Sequence, residues 1–362
     1  MPVKLTEVAR LAGVSLATAS RVLNGSSRNP AADITERVRV AAEELGYVAN
    51  AQAQALARST TGLVGLVVHD IADPYFSAIA HGVQEVALKS RRQVLLAGTD
   101  FGGGDGATDG STHSATHSAE LAAVNAFISY RTDAIILATS RFLEEDPLLS
   151  RNLERYIKNG GRVVTLGATS IPHAKVISIG NFEGARDLVA ALVDRGLVRF
   201  AILSGPHDRN TARSRVSGFH QALTERELTP LAVVEGEFSS RGGFNATLEC
   251  LDTLEIVAAG TSLDSPLCIL AANDVMALGA MTALRSRGLR IPEDVQVAGF
   301  DDIPTLRDHF PGLSTYRLPL EEIGRLAATL ALEAETQTGS TVTGTVVLRE
   351  SAGTTASSAN GA

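Results

Sequence analysis

KLTEVARLAGVSLATASRVLN, residues 4–24, is the stretch from which the rest of the chain is understood. Glu7 to Ala12 spells a short helix that places Val8, Leu11 and Ala12 on one face. Gly13 stands where the chain must turn sharply, and glycine takes positive φ without strain. Val14 fills the corner. Ser15 is placed to cap a second helix by accepting a backbone N–H bond. Leu16 to Asn24 forms that helix, with Ala19, Val22 and Leu23 inward and Leu16, Ala17, Thr18, Ser20 and Arg21 outward. Ala9 is small where the helices would cross. Two helices about a tight glycine turn describe a helix-turn-helix, whose second helix enters the DNA major groove by its start. An ordinary helical hairpin shares the pattern, so the remaining residues must decide.

Charge is unevenly spread. Residues 1–60 hold seven Lys/Arg against five Asp/Glu, while the remainder holds 25 against 35, for a net charge of −8. A mildly basic head on an acidic body concentrates phosphate attraction where the motif lies. The 362 residues suggest two or three domains at roughly 150 residues each. Trp is absent and aromatics are 4%, so Leu, Val, Ile and Ala must fill the cores. Cys250 and Cys268 have neither CxxC nor zinc spacing and are expected to be buried structural residues. No apolar run precedes the first helix and no stretch of 18 apolar residues occurs, so neither a signal peptide nor a membrane span is expected. That points to the cytoplasm.

Strand-length apolar runs recur at 63–68, 94–97, 134–138, 163–166, 176–179, 200–203, 267–271 and 295–299. Amphipathic helical stretches separate most of them, among them 76–89, 121–130, 183–195, 212–225 and 275–287. Such alternation predicts an α/β fold with parallel sheets covered on both faces. About 290 residues exceed one such sheet with a single core, so two lobes with a cleft between them are expected. Gly102 to Ser118 reads GGGDGATDGSTHSATHS and breaks the alternation. Its small polar composition predicts a flexible surface loop. Its glycines do not spell a dinucleotide site. His113 and His117 are four apart but lack further ligands, so no metal site is expected. Thr354 to Ala362 is predicted to be a disordered tail without leucine heptads.

TEVARLAGVSLATASRVLN, then ITERVRVAAEELGYVAN at 34–50 and NAQAQALAR at 50–58, resembles the lactose/galactose repressor family of bacterial regulators. DPYF at 73–76, RSRVSGF at 213–219, LAANDVMALGAM at 270–281 and VAGFDD at 297–302 extend the resemblance to about Arg349. The segment 102–118 and the C-terminal tail lie outside it. The resemblance implies a helix-turn-helix headpiece at 1–49, a hinge helix at 50–60, a periplasmic-binding-protein-like core at 61–349 for ligand binding and dimerisation, and a tail at 350–362. It implies two similar lobes joined by crossing strands, one from 61–165 with 295–325 and the other from 166–294 with 326–349.

For DNA, the resemblance places Leu16, Ala17 and Arg21 against base edges. Arg21 can donate two bonds to a guanine, and Leu16 and Ala17 can only make apolar contact. Ser15, Thr18, Ser20 and Asn24 are then phosphate contacts, which position without specifying. Leu56 is implied as a minor-groove wedge, on a hinge too short to hold a helix alone. In one departure from the family pattern, Ala31 stands where a Ser cap is usual, and Asp33 is the candidate cap one turn later.

For the ligand, the matched motifs imply Arg215 as a fork-shaped donor, Asn273 as donor and acceptor, and Asp301 as an acceptor for hydroxyls. Phe76 and Phe238 offer flat apolar faces. That set suits a polyhydroxylated ligand. Two readings stand for Arg215, a ligand contact or an interlobe ion pair, and Asp301 could equally be a loop cap. Gly167 occupies a position where the family often has an acid. The expected whole is a transcription regulator acting as a repressor: a homodimer that binds a pseudo-palindromic DNA operator, responds to a sugar or related polyol or else a nucleoside, and needs no cofactor. A solute-binding protein shares the core but not the helix-turn-helix. An enzyme is disfavoured because no GxSxG, HExxH or Walker motif occurs. His69 is the only catalytic-looking histidine, with a cleft-lining or structural role expected.

Overall fold

The computed structural model describes residues 3–24, 30–48, 60–99, 111–139, 146–256, 265–333 and 339–352, the side chains of Asn24 and 111–115 excepted. The hinge reading with Leu56, and the tail 354–362, lie outside the described residues. The chain divides into two compact units, residues 1–62 and 63–362.

The first unit holds three helices, α1 (Leu5–Leu11), α2 (Leu16–Asn24) and α3 (Ala32–Glu44). They close on Val8, Ala9, Ala12, Ala19, Val38, Ala41 and Ala42. Gly13 turns the chain at φ +63°. Leu11, expected inward, is 49% exposed. The core face of α1 is centred between Val8 and Ala9, and a three-residue step from Val8 rotates Leu11 away from Ala9. Ala31 is the residue before α3 and makes no side-chain cap bond. Asp33 lies inside the first turn rather than capping it, where its charge favours the helix dipole.

The second unit alternates strands and helices. In chain order these are β1 (Leu63–Val68), α4 (Pro74–Lys89), β2 (Gln93–Gly98), α5 (Ser111–Ser129), β3 (Ala134–Ala138), α6 (Pro147–Lys158), β4 (Arg162–Leu166) and β5 (Lys175–Ile179). Then come α7 (Asn181–Val193), β6 (Phe200–Ser204), α8 (Asn210–Glu225), β7 (Ala232–Glu235), α9 (Ser240–Thr253), β8 (Leu267–Ala271), α10 (Asp274–Ser286) and β9 (Val295–Ala298). The last are β10 (Thr315–Arg317), α11 (Leu320–Leu332), β11 (Gly339–Val342) and β12 (Thr345–Val347). One sheet is ordered β11-β5-β4-β3-β1-β2 and the other β7-β6-β8-β9, both parallel throughout, and β10 pairs antiparallel with β12.

All eight predicted strands form. The central ones, such as β3 and β8, are buried along their whole length, as strands covered by helices on both faces must be. Short β7 was not among the apolar runs; at a sheet edge, Val233 is 48% exposed. The sequence marks helix starts chemically. Asp73 and Asp146, each before a proline, accept from Tyr75 N and Leu148 N, and Ser239 accepts from Gly242 N. Helices α4 and α11 approach until a Cβ on Gly82 would meet Glu321 O, and one on Gly324 would meet Ile79 O, at 2.0 Å each. Only glycine permits that backbone contact.

The lobe boundaries differ from those implied. Strand β4 falls in the first sheet as implied, and β5 pairs onward from it into the same sheet, whereas β9 pairs with β8 in the second. Helix α11 packs on α4, and β11 pairs with β5, so both belong to the first lobe. Hydrogen-bonded pairing decides membership, and the chain crosses between lobes at 179–181, 317–320 and 342–345. Ordered core also continues past Arg349. Ser351 is fully buried and donates to Val297 O. The segment read as a loop is corrected in part. From Ser111 onward it is the start of α5, which Val124 and Phe127 anchor in the core; 102–110 lies outside the described residues. Cys250 and Cys268 are free and buried. Burial pushes both thiols up, Cys250 to about 11.

Candidate functional site

A cavity of about 290 Å³ opens between the two lobes. Strand ends of the first sheet bring Thr139, Gly167 and Ser178 to it, and the start of α4 brings Phe76. The second lobe contributes Asn210, Ser214 and Arg215 from α8, Phe238 after β7, Asn273 after β8 and Asp301 after β9. Phe76, Arg215, Phe238, Asn273 and Asp301, chosen from sequence, therefore line one space. It lies at the carboxyl ends of parallel strands, where open α/β sheets hold ligands.

Arg215 is 2% exposed. Its Nη2 donates to Asp301 Oδ1 at 2.6 Å and its Nη1 to Asp301 Oδ2 at 3.3 Å. Nη1 also donates to Ala272 O at 2.7 Å, and Nε to Asn181 Oδ1 at 2.9 Å. The guanidinium carbon lies 4.0 Å above the Phe300 ring. Of the two readings left open for Arg215, the ion pair is observed, within the second lobe. Asp301 has φ +116°, in the left-handed region. Such strain survives only where neighbours over-determine the backbone, and here Arg215 grips the side chain while the main chain bonds Tyr316 O and Leu318 N. Burial raises the Asp301 carboxyl, and the Arg215 guanidinium pulls it down.

Asn273 caps α10. Its Oδ1 accepts from Met276 N at 2.9 Å, which leaves the amide NH₂ for the cavity. Asp73 caps α4 and lines the opposite wall; burial lifts its carboxyl to about 6 against the bond from Tyr75 N. His69 also lines the cavity and stands 3.3 Å from Thr99 Oγ1 and edge-on to Phe76. Gly167, at φ +96°, brings backbone and no side chain to the wall. The sequence reading missed Asn181, Asn210, Ser214 and Thr139. Ser214 neighbours Arg215, and Thr211 lies one turn before it, so helical spacing from Arg215 would have found that face. Thr139 follows a buried strand, a position that open α/β sheets use.

In the first unit, Ser15 Oγ accepts from Thr18 N at 3.1 Å and lies 2.8 Å from Thr18 Oγ1. Leu16, Ala17 and Arg21 are exposed, and Thr18 and Ser20 are half-buried. Ser15, Leu16, Ala17, Thr18, Ser20 and Arg21 thus stand together at and after the start of α2. Asn24 ends that helix. Among the described residues, no group of three or more His, Cys, Asp or Glu is placed to hold a metal.

Residues 4–50 match the family described as bacterial regulatory proteins, lacI family, and 189–352 match the periplasmic binding protein-like domain. The HTH-type transcriptional repressor PurR of Haemophilus influenzae is 30% identical over 331 residues, covering 91% of this chain and 90% of that protein. A structure of the lac repressor dimer bound to operator and the anti-inducer ONPF superposes with a TM-score of 0.78 at 28% identity, covering 98% of this chain and 100% of that one. The transcriptional regulator CelR in complex with cellobiose gives 0.64 at 28% identity, covering 96% and 99%.

Proposed function

The chain belongs to the lacI family of bacterial regulatory proteins, and we propose that it is a repressor whose hold on a pseudo-palindromic operator is set by a small sugar in the cleft. It is a DNA-binding transcription regulator with a ligand-binding core. The observation that carries the effector reading is the cavity itself, which takes its walls from both lobes and includes Ile179 and Asn181 of one crossing segment. A molecule touching both walls favours one lobe arrangement over another, and that difference in affinity drives a switch.

Size and charge support a compact neutral polyol. About 290 Å³ is at the small end of the ~300–1,000 Å³ typical of small-molecule sites. Arg215 and Asp301 neutralise each other, and Asp73 and Arg209 bring one charge of each sign to the walls. Phe76 and Phe238, one from each lobe, can flank a sugar ring while Asn210, Ser214 and the Asn273 amide meet hydroxyls. The CelR structure holds cellobiose, which favours a sugar over a nucleoside. Ser15, Leu16, Ala17, Thr18, Ser20, Arg21, Asn24 and Leu56 are the proposed DNA contacts. Ile71, Leu88 and Leu96, exposed at 55%, 55% and 45%, mark a face at α4 and β2 suited to a second copy. Among the described residues no helix is long and apolar enough to cross a membrane, and an operator-binding regulator works in the cytoplasm.

The test is fluorescence anisotropy on a library-selected operator, with mono- and disaccharides, nucleosides and purines added in turn. One sugar should shift the binding curve for the wild type and fail to do so for Phe238→Ala, whose operator affinity without sugar stays unchanged. A shift by a nucleoside alone, or an equal shift in the variant, would sink the proposal.

A further inference from the structure

We propose that Glu120 is a positioning residue for effector specificity, holding the Thr139 hydroxyl so that this part of the cavity wall only accepts hydrogen bonds. The inference rests on the reading of the cavity as a sugar site. Thr139 lines the cavity and is 6% exposed. Its Oγ1 donates to Glu120 Oε1 at 2.9 Å. Glu120 lies on α5, is 4% exposed, and stands behind the wall rather than in it.

A hydroxyl has one proton and two lone pairs. In Thr139 the proton is committed to a carboxylate, the stronger kind of hydrogen bond. Turning it toward a ligand would give that bond up, in a place with little water to replace it. What Thr139 offers the cavity is therefore a pair of acceptors. The opposite wall holds donors beside its acceptors: Asn273, whose oxygen already serves the cap, offers its NH₂ next to Asp301, Asn210 and Ser214. A ligand spanning both walls must donate at the Thr139 end. A free sugar hydroxyl does so. A fluoro, O-methyl or O-phosphoryl group at that position has no proton to give and would face lone pairs. Glu120 thus selects an unsubstituted hydroxyl at one ring position without touching it.

The experiment is calorimetric titration of the full chain with glucose, galactose, mannose and cellobiose, then with each monodeoxy and monodeoxyfluoro derivative of the tightest binder. At one ring position the wild type should lose about fivefold to tenfold on deoxygenation, and more on fluorination, because fluorine meets the lone pairs. Glu120→Leu frees the Thr139 proton to point inward, so the fluoro analogue should then bind better than the deoxy one. In Thr139→Val the two should agree within about twofold. A general loss of packing would weaken every analogue without reversing their order. If the fluoro analogue matches or exceeds the deoxy one at every position in the wild type, or if the order survives Glu120→Leu, the inference falls while the sugar reading stands. If no hexose binds the wild type, the sugar reading falls and the inference with it. Should Glu120→Leu fail to fold, Thr139→Val decides: discrimination lost supports the inference, discrimination kept overturns it.

Discussion

Removing the Arg215 guanidinium would leave Asp301 as a lone carboxylate in the interior. Breaking a buried pair from one side costs about 3–5 kcal/mol, because the surviving charge is uncompensated. Arg215→Ala should therefore lower the stability of the core by that amount in urea unfolding, with ligand binding lost through the fold; full stability with binding abolished would make Arg215 a ligand contact instead. Asp274 raises a different question of charge. It is wholly buried and accepts from Thr315 Oγ1 at 2.7 Å and Ile303 N at 3.0 Å. Burial lifts its carboxyl from 3.8 to about 6, against those bonds. The folded state thus holds a proton that the unfolded state has released between those pH values. Its contribution to stability is complete below 3.8 and is lost as pH rises through about 6. Asp73 titrates in the same window, so the quantity to measure is the difference between wild type and Asp274→Asn. The wild type should lose roughly 2–3 kcal/mol relative to the variant between pH 4 and 7, and parallel profiles would refute the assignment.

Helix α5 tests how far composition can be trusted. Ser, Thr, Gly and His made 102–118 look like a loop, yet the helix runs back to Ser111. The reason is cooperative: Val124 and Phe127 secure the body of the helix, and extending a nucleated helix through Ser, Thr and His costs only a few tenths of a kcal/mol per residue. Local propensity could not reveal that, because the anchor lies about two to four turns downstream. Thr116→Pro separates the two descriptions. Inside a helix it should cost about 3 kcal/mol, read as a lowered urea midpoint, whereas in a loop it would be silent. By contrast the starts of α4, α6 and α9 were written plainly in Asp73-Pro74, Asp146-Pro147 and Ser239, because a cap acts on its own next two or three residues. The same locality explains Ala31, where the missing cap was visible in the sequence and is missing in the structure.

Across the whole molecule, the strand runs and the five cleft side chains could be read along the chain, since each depends on neighbours or on a matched motif. Which sheet a strand joins could not. The assignment of β9, α11 and β11 depends on contacts between segments up to about 245 residues apart, such as Gly324 against Ile79 and Gly339 with Val176, and no local pattern records it. The division into residues 1–62 and 63–362 has a thermodynamic consequence. The buried centre of the headpiece is two valines and five alanines, with larger side chains such as Leu5, Leu23 and Tyr47 only partly covered, and a unit that small buries too little surface to be more than marginally stable. The second unit packs two parallel sheets and buries Phe200, Phe219 and Phe300 completely. Scanning calorimetry should accordingly show two transitions, a small early one and a large late one. Effector at a hundred times its Kd should stabilise the late transition by about 2.7 kcal/mol and leave the early one in place. Operator DNA should move the early one first. A single transition, shifted equally by sugar and by DNA, would mean that headpiece and core unfold as one body, and the switch would then have to act through shared stability rather than through the arrangement of the lobes.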